Sequence, residues 1–358
     1  MDRAFELASR GLGSTAPNPP VGCVIVKNGE IIGEGYHRAA GLAHAEVEAL
    51  QKAGVHARGA TVYVTLEPCN HHGRTPPCAL ALIDAGVSRV IIATTDPNPA
   101  TNGSGIATLR RAGVVADVID DNRATRLIEI FSHTIRLQRS YLALKLAMSL
   151  DGAITSRPGV QEWLTGEPER ARVRELRIEH DGVMVGAGTV RVDDPQLTVR
   201  PRHDRVRPYQ RVIMCETDSV PSTARVFEPL QGYAKTIVLS PAGIADRFSN
   251  LANVADILFI GDAHCTSLDL GLALQELRER REIYSLLCEG GPTLGARLIA
   301  QNLVDRFYWA IAPRLLANPD AVPVLAGTDF TLLSVHAQFD SCERVGEDIL
   351  VSGTFHRV

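Results

Sequence analysis

Three residues of the kinds that bind transition metals, His44, Cys69 and Cys78, accompany an acidic residue, Glu46, in the first half of the sequence. One imidazole and two thiolates suit a tetrahedral zinc ion and leave its fourth position for water. Zinc lowers the pKa of such a water, so that hydroxide is available near neutral pH. Glu46 lies two positions after His44, on the same predicted helical turn, and its carboxylate can carry the water proton to a ring nitrogen and a leaving amine. The pattern therefore indicates zinc-dependent deamination of a nucleobase-like ring.

Two other interpretations of these residues compete with the catalytic one. Isolated cysteines and histidines are often core or surface residues, but here a proline precedes each cysteine and an acidic residue follows the histidine. A structural zinc site is the stronger alternative, because His71 or His72 could complete the tetrahedron. That site would leave Glu46 without a task, and we therefore favour an open, catalytic zinc site.

The second half of the sequence contains glycine-rich segments of the kind that bind phosphate groups. In the clearest of them, Cys288–Leu294, a predicted strand continues through two glycines into a predicted helix. Glycines let backbone N–H groups approach a pyrophosphate at the start of a helix. The dinucleotide pattern G-x-G-x-x-G does not follow the first strand of this half, so the sequence gives little support for a Rossmann fold. Taken singly, each glycine segment is equally consistent with an ordinary turn.

The motifs of both halves, taken together and in order, resemble the RibD/RibG family of bifunctional riboflavin biosynthesis enzymes. In the first half the resemblance depends on Pro17–Gly22, Gly35–His37, His44–Glu46, Thr65–Cys78 and Asp96–Pro99. In the second half it depends on Lys145–Gly152, Trp163–Gly166, Gly186–Pro195 and Cys288–Leu294. The long insert between the two cysteines is the most specific feature, because it distinguishes this family from cytidine and tRNA-adenosine deaminases. The resemblance covers about residues 2–355.

The resemblance implies two reactions and two cofactors, Zn2+ and NADPH. The first reaction is hydrolytic deamination of 2,5-diamino-6-(5-phosphoribosylamino)pyrimidin-4-one. The second is NADPH-dependent reduction of the ribosyl group of the product, 5-amino-6-(5-phosphoribosylamino)uracil, to a ribityl group. One alternative is a deaminase whose second half binds nucleotides without catalysis. Another is a nucleic-acid-editing deaminase with an appended domain.

For the deaminase half, the resemblance implies that the three metal-binding residues hold zinc and that the acidic residue beside them moves protons. It also places Asn18, His37 and Arg74 around the substrate. Their chemistry agrees with that placement, because the amide of Asn18 can donate and accept at a pyrimidine edge, while His37 and Arg74 can meet a phosphate. Without the resemblance, each of these three would be interpreted as a turn or surface residue.

For the reductase half, the resemblance implies contacts to NADPH and to the ribotide. The implied cofactor contacts are Ala147, Trp163, Thr189, Asp193, Gly291, Pro292, Thr293, Leu294, Gly295, Ala296 and Arg297. The implied substrate contacts are Gln161, Arg177, Leu197, Arg200 and Glu289. Arg177 and Arg200 suit the binding of a ribose phosphate, since a guanidinium makes bidentate contacts with phosphate. The proton that accompanies the hydride could come from Lys145, Asp193 or Glu289, and the sequence does not decide among them.

Length and the alternation of predicted strands and helices indicate two α/β domains. The chain has 358 residues, more than one ordinary core accommodates. We predict a zinc-dependent deaminase domain over 1–143 and an NADPH-dependent reductase domain over 144–358. The resemblance implies a cytidine-deaminase-like three-layer fold for the first domain and a dihydrofolate-reductase-like α/β fold for the second. Residues 121–139 are predicted to form one amphipathic helix.

Composition limits the partners that the chain can have. Lys and Arg total 37 against 41 Asp and Glu, a net charge of -4, which argues against binding nucleic acid through its phosphates. No run of about 18 apolar residues is present, so we predict no membrane span. Seven scattered cysteines indicate a reducing compartment, and we expect the cytoplasm. The expected partners are the small pyrimidine ribotide and further copies of the chain in a homo-oligomer.

Overall fold

The computed structural model describes residues 1–70, 76–99, 101–199, 205–216, 220–330 and 334–357. The chain divides into two compact units, Met1–Gln138 and Arg139–Val358. Residue 143, at which the sequence analysis ends the first domain, lies inside a strand of the second unit, where it pairs with Leu287 and Arg306. Within the described ranges, no helix is both long enough and apolar enough to cross a membrane.

The first unit contains a five-stranded sheet with helices on both faces. Its elements are α1 (Asp2–Ser9), β1 (Gly22–Lys27), β2 (Glu30–Tyr36), α2 (Ala45–Ala53), β3 (Thr61–Val64), α3 (Cys78–Asp84), β4 (Arg89–Ile92), α4 (Ser104–Arg111), β5 (Val115–Val118), α5 (Asn122–Leu127) and α6 (Glu129–Arg136). The strand order is β2-β1-β3-β4-β5, in which β1 is antiparallel to both neighbours and β3, β4 and β5 are parallel. Successive side chains of a strand point to opposite faces. Cys23 and Ile25 of β1 accordingly pack with α2, α3 and α4, whereas Val24 packs with α1.

Two glycines of β2 let α2 lie very close to the sheet. A Cβ atom at Gly33 would lie 2.3 Å from the carbonyl oxygen of Ala49, and one at Gly35 would lie 2.3 Å from that of Ala45. Any other residue would push α2 away from the sheet. Because the first turn of α2 carries Glu46, the two glycines fix the position of that side chain relative to the sheet.

Residues 121–139 do not form the single helix that their pattern predicts. Helix α5 ends at Leu127 and α6 begins at Glu129. Between them Ile128 has φ −98° and ψ 14°, outside the α-helical region, and its side chain is buried. The apolar spacing continues across this break because both short helices bury one face, so periodicity alone does not reveal a kink of one residue.

The second unit contains a nine-stranded sheet and a small two-stranded one. Its elements are β6 (Tyr141–Ser149), β7 (Ala153–Thr155), α7 (Glu167–Glu179), β8 (Gly182–Gly186), α8 (Ala187–Asp193), β9 (Gln210–Met214), β10 (Ile237–Pro241), β11 (Asp256–Ile260), α9 (Leu270–Arg281), β12 (Ser285–Cys288), α10 (Pro292–Ala300), β13 (Arg306–Ala312), β14 (Val322–Pro323), β15 (Val335–Val345) and β16 (Asp348–Arg357). The large sheet has the order β11-β10-β9-β8-β12-β6-β13-β16-β15. It is parallel from β11 to β13, whereas β16 and β15 are antiparallel.

Strand β12 lies between β6 and β8, although it comes much later in the chain. The chain therefore crosses over the position of β12 when it passes from β6 to β8, and it returns to fill that position. In parallel sheets, ligands bind in the crevice outside the carboxyl ends of the strands, at the point where the strand order switches. The topology thus predicts a binding cleft beside the ends of β8 and β12.

Candidate active sites

The predicted zinc ligands lie together at one point of the first unit. The side-chain ligand atoms of His44, Cys69 and Cys78 all lie within 4.8 Å of one another. His44 Nδ1 lies 3.2 Å from Cys78 Sγ and 3.6 Å from Cys69 Sγ, and the backbone N–H of Cys78 donates to Cys69 Sγ at 3.4 Å. His44 caps α2, Cys78 begins α3, and Cys69 lies in the loop after β3. Three imidazole and thiol groups at this spacing fit one tetrahedral ion with an open fourth position.

The protonation of the two thiols agrees with a metal-binding role. A hydrogen bond between the Cys78 thiol and the sulfur of Cys69 lowers the pKa of Cys69 to about 4 and raises that of Cys78. The pair thus shares one proton and titrates as a unit. A bound ion requires both sulfurs as thiolates, so binding must displace that proton.

Glu46 is buried beside the three ligands. Burial raises the pKa of its carboxyl group to about 7, and the negative charge of Cys69 adds to the rise. A general acid–base group works best when its pKa is close to the working pH. The environment of Glu46 therefore provides a group that can both take and release a proton near neutral pH.

His37 and Asn18 lie next to the metal-binding cluster. The His37 ring is edge-on to the His44 ring, with centroids 5.2 Å apart. Its Nδ1 lies 3.1 Å from the carbonyl oxygen of Ala43 and its Nε2 3.1 Å from the amide nitrogen of Asn18. Burial lowers the pKa of His37, so the ring is neutral, donates to Ala43 and accepts from Asn18. This arrangement orients Asn18, and the contact of His37 with a phosphate stays a prediction.

Glu67 has a role near the zinc ligands that the sequence did not reveal. Its buried carboxylate accepts backbone N–H groups of Asp96, Gly103, Gly105 and Ile106, at 3.2, 2.9, 2.9 and 3.3 Å. It thereby ties the start of α4 and the loop before it to the segment that carries Cys69. The sequence offered one indication of this role, since Glu67 directly precedes the Pro-Cys pair that contains a zinc ligand. Arg74, His71 and His72 lie outside the described residues.

The second unit has a cavity of about 1070 Å³ at the carboxyl ends of β8, β9 and β12. Most of the residues that the sequence assigned to cofactor, substrate and proton transfer line it: Lys145, Ala147, Gln161, Trp163, Arg177, Thr189, Asp193, Leu197, Glu289, Gly291, Pro292, Thr293, Leu294 and Arg297. Gly295 and Ala296 do not, because Ala296 is fully buried and a Cβ atom at Gly295 would contact the core residues Leu144 and Leu146. Arg200 lies outside the described residues.

Arg177 is paired with a carboxylate inside this cleft. Its Nε and Nη2 donate to the two carboxylate oxygens of Glu289 at 2.5 and 2.8 Å, and its Nη1 donates to the carbonyl of Thr198 at 2.8 Å. Burial alone would raise the pKa of Glu289, but Arg177 and then Lys145 lower it, so Glu289 is a carboxylate. The charge of Arg177 is therefore neutralised. It positions Glu289, and its role as a ligand of the substrate phosphate stays a prediction.

Lys145 pairs with the carboxylate of Glu169, a residue that the sequence pattern did not indicate. The Lys145 Nζ lies 3.1 Å from Glu169 Oε1, and the hydroxyl of Thr165 donates to Glu169 Oε2 at 2.8 Å. Both residues line the cleft, and Glu169 is fully buried whereas the Lys145 side chain is slightly exposed. A buried charge needs a partner, so this pair holds the ammonium group at the cleft wall.

The backbone of the cleft contains a strained residue. Leu197 is buried and has φ +52°, a left-handed conformation that is rare for a bulky side chain. Such residues persist only where the surrounding structure enforces them, and they are concentrated at ligand sites. The observation agrees with the placement of Leu197 in the substrate pocket.

Comparisons with known proteins cover both units. The family model described as "RibD C-terminal domain" matches residues 140–351. The family model described as "Cytidine and deoxycytidylate deaminase zinc-binding region" matches residues 1–94. Riboflavin biosynthesis protein RibD of Escherichia coli (strain K12) is 38% identical to this chain over 98% of it and 96% of the relative. The chain belongs to the RibD family.

Two solved structures of RibD proteins agree with this assignment. RibD of Acinetobacter baumannii is 36% identical, with a TM-score of 0.82 over 99% of this chain and 97% of that one. A Thermotoga maritima protein named diaminohydroxyphosphoribosylaminopyrimidine deaminase/5-amino-6-(5-phosphoribosylamino)uracil reductase is 33% identical, with a TM-score of 0.82 over 99% of this chain and 97% of that one. The predicted fold class, a cytidine-deaminase-like domain followed by a dihydrofolate-reductase-like domain, is confirmed for this RibD family member.

Proposed function

We propose that this chain catalyses two successive reactions of riboflavin biosynthesis: deamination of the diaminopyrimidine ribotide, then reduction of the ribosyl group of the product. The Thermotoga maritima relative is named for both activities. The observation that carries the proposal is the cluster of three ligand atoms within 4.8 Å, with the buried Glu46 beside it. A purely structural zinc site would leave this buried carboxyl group without a role.

The deaminase is proposed to lie within residues 1–143 and the reductase within residues 144–358. The described residues implied for deamination all belong to the first compact unit, and those implied for reduction all belong to the second. Each reaction would therefore use side chains of one unit. The compact units divide at residues 138 and 139, so residues 139–143 are structurally part of the reductase sheet.

In the deaminase, His44, Cys69 and Cys78 would hold zinc. When bound, zinc supplies the Lewis acidity that makes hydroxide available near neutral pH. Glu46 would take one proton from the attacking water and deliver it to the ring nitrogen. It would then take the second proton from the hydroxyl now on the ring carbon and pass it to the amino group, which leaves as ammonia while the carbonyl forms. Asn18, oriented by His37, presents its amide to the pyrimidine edge.

In the reductase, the backbone N–H groups at the start of α10 would receive the pyrophosphate of NADPH. When bound, the cofactor supplies the hydride. The protein then provides the proton, and Lys145 is the proposed donor because Glu169 holds its ammonium group at the cleft wall. Glu289 suits this role less well, since Arg177 keeps it ionised. Asp193, which is half-buried and has a pKa raised by burial, is the remaining candidate.

We expect the double variant Cys69→Ser, Cys78→Ser to lose about one zinc per chain, because a single imidazole cannot hold the ion. Metal analysis of the purified protein measures this loss. The matched control is Cys265→Ser, which changes a thiol of the second unit and should keep its zinc. Full zinc retention by the double variant would refute the ligand assignment.

The partners and compartment of the chain are proposed on the same basis. The substrate is a small pyrimidine ribotide, and membership of a family of metabolic enzymes argues against nucleic acid as a substrate. The described cysteines are all free thiols, as a zinc–thiolate enzyme of the cytoplasm requires. Assembly as a homo-oligomer stays a prediction.

A further inference from the structure

An ion pair of unexplained purpose lines the proposed cofactor cleft. The carboxylate of Glu216 pairs with the guanidinium of Arg297, and its other oxygen accepts the backbone N–H of Leu268 at 3.2 Å. Arg297 also donates to the carbonyl oxygen of Leu268 at 3.3 Å. The side chains of Glu216 and Arg297 are 30% and 27% exposed, and both line the cavity. Neither is buried in the core, so the pair is accessible to a ligand.

The topology places this pair along the path of a dinucleotide. The start of α10, at the end of β12, is the proposed pyrophosphate position, and β8 and β9 are the next strands of the parallel sheet. Glu216 lies two residues after Met214, the last residue of β9, and Arg297 pairs with it from the second turn of α10. In dinucleotide sites of parallel sheets, an acidic residue accepts the 2′-hydroxyl of the adenosine ribose, whereas an arginine accommodates a 2′-phosphate. At this point of the cleft, Glu216 and Arg297 provide a residue of each kind, and the two are bound to each other.

We propose that Glu216 and Arg297 together recognise the 2′ position of the cofactor's adenosine ribose, and that Glu216 limits the preference for NADPH so that NADH binds comparably. The inference rests on the proposed reductase function. The 2′-hydroxyl of NADH can donate to Glu216 while the ion pair stays intact. A 2′-phosphate must take Arg297 away from Glu216, and it then lies beside a carboxylate of the same sign of charge.

The test compares cofactor binding by the full-length protein, measured by titration calorimetry without substrate. NADPH and NADH are titrated into the wild-type protein, Glu216→Gln and the control Glu279→Gln, which removes the same charge on the exposed face of α9. We expect the wild-type dissociation constants for the two cofactors to agree within about ten-fold. Glu216→Gln should favour NADPH over NADH by at least about ten-fold more than the wild type does, mainly through tighter NADPH binding. Glu279→Gln should behave as the wild type.

A second variant, tested with two fragments of the cofactor, keeps the test decisive if Glu216→Gln folds poorly. Arg297→Ala should weaken binding of adenosine 2′,5′-bisphosphate while leaving that of adenosine 5′-monophosphate nearly unchanged. If Glu216→Gln or Arg297→Ala weakens both ligands of a pair equally, the ion pair only fastens β9 to α10, and the proposal is wrong. A wild-type preference for NADPH that Glu216→Gln leaves unaltered also overturns it. If the wild type binds neither dinucleotide, the reductase function itself fails, and the inference fails with it.

Discussion

Glu46→Gln should lower the rate of deamination by at least ~10²-fold, the usual effect of removing a general acid–base group. The amide of glutamine has nearly the size of the carboxylate but cannot take the proton of water or return it to the leaving amine. The zinc ligands are unchanged, so the variant should contain as much metal as the wild type. Release of ammonia from the diaminopyrimidine ribotide measures the rate.

Glu30→Gln is the matched control for this experiment. Glu30 is exposed at the start of β2, and its replacement removes the same charge from the first unit. It should deaminate at close to the wild-type rate. Both variants should still reduce the deaminated intermediate when it is supplied with NADPH, because the reductase residues lie in the other unit. Near-normal ammonia release by Glu46→Gln would contradict the proton-transfer role.

Lys145→Met should lower the reductase rate by about 10²–10⁴-fold and leave deamination unchanged. Methionine fills similar space but has no proton to donate. Glu169→Gln should act on the same step in a different way, because it removes the charge that holds the ammonium group. Its reductase rate should fall less than that of Lys145→Met, since the ammonium group remains but is no longer held by its carboxylate partner. Steady-state oxidation of NADPH measures both effects.

Asp193→Asn distinguishes the two remaining proton donors. If Lys145 is the donor, Asp193→Asn should alter the Michaelis constant more than the turnover rate, whereas Lys145→Met does the reverse. The binding affinity for NADPH should be nearly the same in Lys145→Met as in the wild type, which excludes general collapse of the cleft. Normal turnover by Lys145→Met together with its loss in Asp193→Asn would assign the proton to Asp193.

The elements with a strong local signal could be predicted from the sequence. The ligand cluster was recognisable because its residue types are distinctive and because the acidic residue falls in the same helical turn as His44. Strand β15 was missed, since most of Val335–Val345 is exposed at the edge of the sheet and lacks the apolar alternation of a half-buried strand. It forms by pairing with β16, a contact that local pattern does not encode.

The charge pairs of the cleft in the second unit could not be predicted, because their members are far apart in the chain. Arg177 and Glu289 are 112 positions apart, and Arg297 and Glu216 are 81 apart. Residue type alone made Arg177 a candidate phosphate ligand, but it could not show that the fold pairs this guanidinium with a carboxylate. Glu169 stayed unnoticed for a related reason, since a charged residue near the start of a helix is normally solvated and only the fold buries this one.

The most direct test of the bifunctional assignment is mass analysis of the diaminopyrimidine ribotide after incubation with the purified zinc-loaded protein. Without NADPH, we expect a single product in which one amino group has been replaced by oxygen, together with an equal amount of ammonia. With NADPH, we expect that product to gain two hydrogen atoms as an equal amount of cofactor is oxidised. Recovery of unchanged ribotide under both conditions would contradict the account, and deamination without any subsequent reduction would show that the second half binds nucleotides without catalysis.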